Sequence, residues 1–298
     1  MIVLKTYIEK LIQEHNEKLN LGHILICVLL LLCGIYDIFI ILKFKEENNM
    51  YKFFVNDKQI VENKINIIGE DVNHIKNVLR LEIEEKICVC NKETSISFLC
   101  KIIELNNERI ICDVLEEIAE TTETNCYIHI FQGLPKSEKL EFIIEKCTEI
   151  GVKEITPVVM KRTIVKLDEK DKVKKTIRWQ KIAEVAAKQS GRNQIPKINN
   201  IIPIKNICKL VEEYDLILVA YEKEENTTLK QVLKKIKQEN KENLKIAVVI
   251  GPEGGLEETE VEFLKQNGAS VVTLGNRILR TETVALNLLS IIMYELEN

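Results

Sequence analysis

Two short loops near the carboxyl terminus combine glycine with charged side chains. The first loop, 251–256, reads Gly-Pro-Glu-Gly-Gly-Leu, and the second, 275–281, carries Arg280 just before Glu282. Glycine has no Cβ, so its backbone N–H groups can approach a ligand closely. A cation and a carboxylate beside such a backbone could bind a ligand and assist a proton transfer.

A single glycine-rich turn after a strand is usually only a turn. The loop 251–256 lacks the Lys-Ser/Thr pair of a phosphate-binding loop and the spacing of a dinucleotide fingerprint. The second loop and the apolar segment that follows it, 282–296, favour a binding site over an isolated turn.

Buried strands are predicted to position both loops. Each loop follows a short, β-branched apolar run, 246–250 or 271–274, which is typical of a strand in a parallel sheet. Ligands bind beyond the carboxyl ends of the strands in such sheets. Thr281 is predicted to cap the last helix, whose N-terminus would lie at the same edge.

The preceding segment alternates strands with helices, which predicts an α/β fold with right-handed crossovers. Ser137 is predicted to cap the first of these helices and Gly151 to end it. The predicted strands are 126–131, 155–159 and 215–221, and the predicted helices are 138–150, 170–190 and 227–237.

The segment 50–118 has a different pattern. Several short strands with one helix, 71–80, predict a small β-barrel. The acidic, unpatterned segment 116–125 reads as a linker.

A concentrated basic segment lies between residues 170 and 192. It holds eight basic and two acidic residues, a net charge of +6, in a chain whose net charge is −4. Such a segment suits contact with phosphates, and a solvated helix face remains the alternative. Trp179 within it could face RNA or the core.

The nine cysteines include no CxxC pair and no Cys/His cluster with zinc spacing. This pattern is typical of free thiols in a reducing cytoplasm, and we expect no metal.

The first 49 residues differ from the rest. The segment 24–42 is apolar except for Asp37, and its length is close to that needed to span a bilayer. Three interpretations are open: a membrane anchor, an apolar helix packed on the body, or an extension from a misassigned start codon.

Four motifs resemble the RsmE-type family of ribosomal RNA methyltransferases, which belongs to the SPOUT superfamily. They are HIKNVLRL, RWQKIAEVAAKQSGRNQIP, IGPEGGLEETEVEFL and LGNRILRTETVALNLLSII. The resemblance implies a PUA-like RNA-binding β-barrel at 50–118, followed by a parallel-sheet methyltransferase domain with a trefoil knot at 119–298. It also implies a homodimer paired through the knotted domain.

The activity that the resemblance implies is methylation of N3 of a uridine in 16S rRNA of the small ribosomal subunit, with S-adenosylmethionine as methyl donor. Arg192 and Arg280 are then expected to stabilise charge on the base, and Asn193 to bind the flipped base. Glu282 would act as the base or orient Arg280.

The same resemblance implies which residues contact the cofactor and the RNA. Glu253 would contact the cofactor amine or brace its loop. The expected cofactor contacts are Leu218, Val219, Ala220, Ile250, Gly251, Glu253, Gly254, Gly255, Leu274, Gly275, Arg277, Ile278 and Leu279. The expected RNA contacts are His74, Arg80, Lys136, Arg162 and Arg178.

Two alternatives stay open. The same fold could act on another RNA, either tRNA or a ribose hydroxyl. The chain could instead be a membrane-tethered RNA-binding protein without catalysis. The expected location is cytoplasmic, or at the membrane if the segment 24–42 is expressed and inserted.

Overall fold

The computed structural model describes residues 50–119, 121–239, 241 and 243–297. The predicted extension 1–49, with its possible membrane span, lies outside these residues. Within them, no helix is both long enough and apolar enough to cross a bilayer. Residue contacts divide the chain between Tyr51 and Lys52, so every element below belongs to one unit.

The amino-terminal part of this unit is built on a six-stranded sheet. Its strands are β1 (Lys52–Val55), β2 (Ile60–Val61), β3 (Lys64–Ile68), β4 (Lys86–Asn91), β5 (Ser97–Leu105) and β6 (Arg109–Ile118). They pair in the order β1-β4-β5-β6-β3-β2, with β1 parallel to β4 and the other pairs antiparallel. The prediction of several short strands is therefore confirmed.

The single helix of this part is less regular than predicted. A short helix, α1 (Glu70–Asn73), continues as a π-helical turn (His74–Leu79) and ends at Arg80, whose φ is +56°. Wide turns of this kind often mark functional sites.

The carboxyl-terminal part contains a seven-stranded parallel sheet. Its strands are β7 (Tyr127–Gly133), β8 (Glu154–Val159), β9 (Lys197–Ile198), β10 (Ile202–Pro203), β11 (Leu216–Ala220), β12 (Lys245–Ile250) and β13 (Ser270–Val272). The order is β10-β8-β7-β12-β11-β13, with β9 paired to β8. The two predicted carboxyl-terminal strands exist, but β11 lies between them. The trefoil knot stays a prediction.

Helices cover both faces of this sheet. They are α2 (Lys139–Ile150), α3 (Glu169–Gln189), α4 (Leu229–Gln238), α5 (Glu258–Gln266) and α6 (Thr281–Glu297). Alternation along β7 sends Ile128 and Ile130 into one apolar cluster and Phe131 into the other. Trp179 is only 3% exposed and belongs to the first cluster, so it is a core residue.

The two ends of α2 differ from each other in how well the sequence predicted them. Gly151 ends the helix in the left-handed region, as expected. Ser137 is not the N-cap: Glu138 occupies that position without a side-chain hydrogen bond, and Ser137 has a φ of +55°.

Candidate functional site

The end of β7 and the loop 251–256 are packed tightly at the carboxyl edge of the parallel sheet. A Cβ on Gly133 would lie 2.5 Å from the nitrogen of Pro252. A Cβ on Gly251 would lie 2.9 Å from the carbonyl carbon of Gly255. Only glycine fits at either position without displacing backbone.

Gln132, which the sequence analysis missed, joins these segments to the start of α6. Its Nε2 donates to Thr281 Oγ1 at 2.8 Å and to the Gly133 carbonyl at 3.0 Å. Thr281 Oγ1 donates in turn to the Gly251 carbonyl at 2.7 Å. The predicted capping role of Thr281 is therefore wrong, because α6 begins at this residue and its hydroxyl braces the loop. The signal that could have identified Gln132 was a polar residue next to the end of an apolar strand.

Two buried oxygen atoms at this edge have no hydrogen-bond partner within the described residues: Gln132 Oε1 and Glu282 Oε2. Gln132 is completely buried, and its two amide hydrogen bonds fix the orientation of the oxygen. A buried unsatisfied acceptor costs about 1–3 kcal/mol. A ligand that donates hydrogen bonds here would remove that cost.

Lys139, also missed by the sequence analysis, lies between two carboxylates. Its Nζ is 3.3 Å from Glu253 Oε1 and 3.4 Å from Glu282 Oε2. Glu253 also accepts a hydrogen bond from the Lys136 backbone at 3.0 Å. Burial alone would raise the pKa of Glu253, but these hydrogen bonds and the Lys139 charge lower it. Bracing of the loop is the role that this geometry gives Glu253.

Arg162 braces the same loop from the other side. Its Nε and one terminal nitrogen donate to Glu257 Oε2 at 3.1 and 2.8 Å, and the other terminal nitrogen donates to the Gly254 carbonyl at 2.8 Å. The side chain remains 39% exposed in this arrangement, and the RNA contact of Arg162 stays a prediction.

The predicted cofactor contacts on β11 are only partly available. Leu218 and Val219 are fully buried, and β12 and β13 pair with the strand on both sides at these residues. Their side chains are therefore not accessible, and their contact with the cofactor stays a prediction, whereas Ala220 is partly exposed at the strand end. Beyond it, Glu222 Oε1 would lie 2.8 Å from a Cβ on Gly255, whose φ is +72°.

The second loop is open. Gly275 has a φ of +100°, and a Cβ there would meet no atom within 4 Å. Arg277 and Arg280 are exposed, and Ile278 is 88% exposed, although Leu274 and Leu279 are partly buried. Glu282 pairs with Lys139 through Oε2, and its roles as base or as orienter of Arg280 stay predictions.

Arg192 is buried in a different part of the domain. It is 3% exposed, and its guanidinium donates to both carboxylate oxygens of Glu123 at 3.2 and 2.6 Å. It also donates to the carbonyls of Thr148 and Val152 at 3.1 and 2.7 Å. Burial alone would raise the pKa of Glu123, but Arg192 and Lys153 lower it to about 2.

This arrangement places Arg192 at the amino edge of the sheet, opposite the glycine loops. Thr148 lies in the last turn of α2 and Val152 lies just before β8, whereas the loop 251–256 meets the other end of β7. A strand of this length spans roughly 20 Å. The predicted contact of Arg192 with the base is therefore not compatible with its position within this chain.

Asn193 shares this location. It is 5% exposed, and its side-chain oxygen accepts from Lys52 Nζ at 2.5 Å. Its carbonyl accepts from the Cys90 thiol at 3.0 Å. Asn193 therefore joins the two sheets, and its predicted contact with a flipped base does not agree with this position.

The remaining predicted RNA contacts are spread over the surface. Arg178 pairs with Glu141 at 2.8 Å and remains 63% exposed. The His74 ring packs at 6.2 Å from that of Phe53, whereas the side chains of Arg80 and Lys136 are exposed. Arg178 also lines a cavity of about 300 Å³ between α2 and α3 that contains none of the predicted cofactor contacts.

No disulfide is present among the residues that the structure describes. No group of three or more histidine, cysteine, aspartate or glutamate residues among them is arranged to hold a metal.

Comparison with known proteins defines the class of the fold. An RNA methyltransferase domain model matches residues 122–293, and an RNA methyltransferase PUA domain model matches residues 67–115. The chain is thus an RNA methyltransferase with a PUA domain, as predicted from the sequence.

Individual relatives define the family more narrowly. Ribosomal RNA small subunit methyltransferase E of Bacillus subtilis is 36% identical over 251 residues, which cover 83% of this chain and 98% of the relative. The enzyme of the same name from Mesomycoplasma hyopneumoniae is 35% identical, with 81% and 98% covered. This chain belongs to the ribosomal RNA small subunit methyltransferase E family.

A solved structure supports the same conclusion. It is a ribosomal RNA small subunit methyltransferase E from Neisseria gonorrhoeae bound to S-adenosyl methionine, with a TM-score of 0.73 and 27% identity. The match covers 83% of this chain and 98% of the chain in that structure.

Proposed function

We propose that this protein transfers the methyl group of S-adenosylmethionine to N3 of a uridine in 16S rRNA of the small ribosomal subunit. The observation that carries the proposal is the carboxyl edge of the parallel sheet. There, the open loop at Gly275 and the tightly packed loop 251–256 meet the edge that holds Gln132 Oε1, a buried acceptor with no hydrogen-bond partner among the described residues.

The cofactor would be held by backbone at Gly251, Gly254, Gly255 and the loop 274–279, with Ala220 and Ile250 at the strand ends. S-adenosylmethionine supplies a methyl group already activated on a sulfonium. Gln132 Oε1 would accept a hydrogen bond from it, and the exposed Ile278 would be covered by it. Both changes are favourable because they satisfy a buried acceptor and remove apolar surface from water.

The chain must also remove a proton from the base. The pKa of uracil N3 is roughly two units above neutral, so deprotonation at pH 7 costs about 2.7 kcal/mol. Arg280 would stabilise the developing negative charge on a base oxygen. Glu282 would accept the proton through the carboxylate oxygen that does not face Lys139. Lys139 would hold this carboxylate in place.

Arg80, His74 and Lys136 are proposed RNA contacts, since Arg80 and Lys136 are exposed and His74 begins the π-helical turn that Arg80 ends. We also propose a homodimer paired through α6, which could be tested by light scattering after size exclusion. A cytoplasmic location follows from the proposed ribosomal substrate.

Small subunits that lack the modification, incubated with the protein and methyl-labelled cofactor, test the proposal. Digestion of the rRNA should yield labelled N3-methyluridine. Label in tRNA or on a ribose would favour the alternative substrates. Absence of label together with RNA binding would favour a non-catalytic protein.

The catalytic assignment has its own test. Replacing Arg280 by alanine should lower kcat about 100-fold or more, an effect of the size seen when one stabiliser of developing charge is lost. The cofactor Kd should change little. An equal loss in both would assign Arg280 to cofactor binding instead.

A further inference from the structure

The two basic helices of the methyltransferase domain differ in how their charges are used. α3 has seven lysine and arginine residues, and four of them pair with carboxylates: Lys172, Arg178, Lys181 and Lys188. Partners of the last three lie on other elements, at Glu141, Glu70 and Asp71. Much of the basic segment identified in the sequence is thus neutralised within the protein.

α4 is also basic, but most of its lysines lack such pairing within the described residues. It holds four lysines and no acidic residue, and all four lysines are exposed. Within the part of the chain that the structure describes, no carboxylate pairs with Lys230, Lys234 or Lys235. Lys237 donates to the Glu295 carbonyl near the end of α6.

Folding alone does not account for this arrangement. Leu229, Leu233 and Ile236 anchor the inner face of α4, and Thr228 and Gln231 form a capping box at its start. Lys230 and Lys234, four residues apart, repel each other on the helix surface. A lysine in the first turn also opposes the helix dipole. Local rules broken without a compensating contact often mark a functional surface.

The position of α4 connects this surface to the candidate site. The Thr273 backbone donates to the Thr227 carbonyl at 2.9 Å, and Thr228 bridges Thr273. The start of the open loop 274–280 therefore lies beside the first turn of α4. That loop adds two exposed arginines and no acidic residue.

The charges around this surface are mixed only at its margins. Glu224 and Glu225 precede α4, and Glu239 follows it. The Glu224 carboxylate accepts hydrogen bonds from the backbone N–H groups of Asn226 and Thr227. Between these margins, lysines are the only charged residues of α4.

We propose that Lys230 and Lys234 of α4, with the neighbouring loop 274–280, form a second surface that binds the phosphate backbone of the RNA substrate. This inference rests on the proposed function, because it takes RNA as the polyanion. A lysine that neutralises a phosphate releases condensed counterions, so affinity falls as salt rises.

The test compares two double variants in the full chain. K230Q/K234Q removes two positive charges from α4. K205Q/K209Q removes two exposed lysines with the same spacing from the turn Ile204–Lys209, which follows β10 at the far end of the strand order from β13. Binding to 16S rRNA is measured by filter retention across a range of KCl concentrations, and cofactor binding by calorimetry.

We expect K230Q/K234Q to make the slope of log Kobs against log[KCl] shallower by roughly 1.4–1.8, the contribution of two phosphate contacts. The K205Q/K209Q variant should keep the wild-type slope, and K230R/K234R should also keep it. Cofactor affinity should be unchanged in all variants.

Equal slopes in the wild type and K230Q/K234Q would overturn the α4 surface while leaving the proposed function intact. An equal decrease in both glutamine variants would also overturn it, because the effect would then be one of net charge. A wild-type protein that binds no rRNA would contradict the proposed function itself.

Discussion

The two edges of the parallel sheet differ in whether their buried polar groups are hydrogen-bonded. At the amino edge, Arg192 has four hydrogen bonds to Glu123 and to two backbone carbonyls. At the carboxyl edge, Gln132 Oε1 and Glu282 Oε2 are buried without a hydrogen-bond partner. A saturated group stabilises the fold, and an unsatisfied one leaves capacity for a ligand. Polarity alone therefore does not locate a site.

A second network of buried polar groups is hydrogen-bonded in the same way as the Arg192 region. His129 contacts the Tyr214 hydroxyl at 2.5 Å and Thr156 Oγ1 at 2.7 Å. Asn199 donates to the same threonine, and Tyr127 donates to Glu154. His129 lies on the same face of the sheet as Phe131, and the rings of the two residues are in contact. The proposed reaction uses none of the groups in this network.

The largest expected effect is that of Arg192→Ala on stability. Removal of one partner of a buried ion pair typically costs 3–5 kcal/mol. We expect about 3 kcal/mol, because Lys153 still pairs with Glu123. Urea unfolding measures the loss. Full stability with abolished methylation would instead return Arg192 to the catalytic site, through a partner subunit.

Acid should weaken the same region in two successive ranges of pH. Burial lowers the pKa of His129 from 6.5 to about 4, so the unfolded chain binds this proton first as the pH falls. The resulting loss of stability begins near pH 6.5, is complete below pH 4, and amounts to about 3 kcal/mol. Stability at each pH is measured by urea unfolding.

Glu123 accounts for the second range. Its pKa is lowered from 4.5 to about 2, so the stability that it contributes is complete above pH 4.5 and is lost as the pH falls toward 2. A His129→Gln variant should lose only the first range. If its pH profile matched that of the wild type, His129 would not be the group responsible.

Gly255→Val should affect the carboxyl edge alone. The new side chain would be strained at a φ of +72° and would meet Glu222 Oε1 at 2.8 Å. We expect a loss of cofactor affinity of about 100-fold, equivalent to ~2.7 kcal/mol, in calorimetry.

Gly191→Val is the matched control. Gly191 has a φ of +70° and no atom within 4 Å of a Cβ, and it precedes Arg192 at the amino edge. The two variants share the backbone strain, so a similar loss of cofactor affinity in both would show that strain, and not the site, is responsible.

Gln132→Met should have the smallest effect. Methionine fills a similar volume but removes both the unpaired acceptor and the donor to Thr281. We expect cofactor affinity to fall about 10-fold, which corresponds to ~1.4 kcal/mol. Unchanged affinity would mean that Oε1 does not face the cofactor.

Several features followed from the sequence because their causes are local. Apolar runs bounded by turn residues predicted the strands, and Gly151 predicted the end of α2. The loop 251–256 was recognised because its glycines meet a steric requirement that holds wherever the chain adopts that turn. The family resemblance placed a PUA domain before a methyltransferase domain, and both were found.

Tertiary structure alone decided which charged groups are available. Arg192 and Glu123 are 69 residues apart in the chain, and Lys181 and Glu70 are 111 apart, so no local pattern predicts either pair. Lys139 gained its role because folding brings Glu253 and Glu282 to it. The sequence by itself determined where charge and backbone flexibility lie along the chain. Only folding determined which charges are neutralised, because an ion pair depends on distance in space.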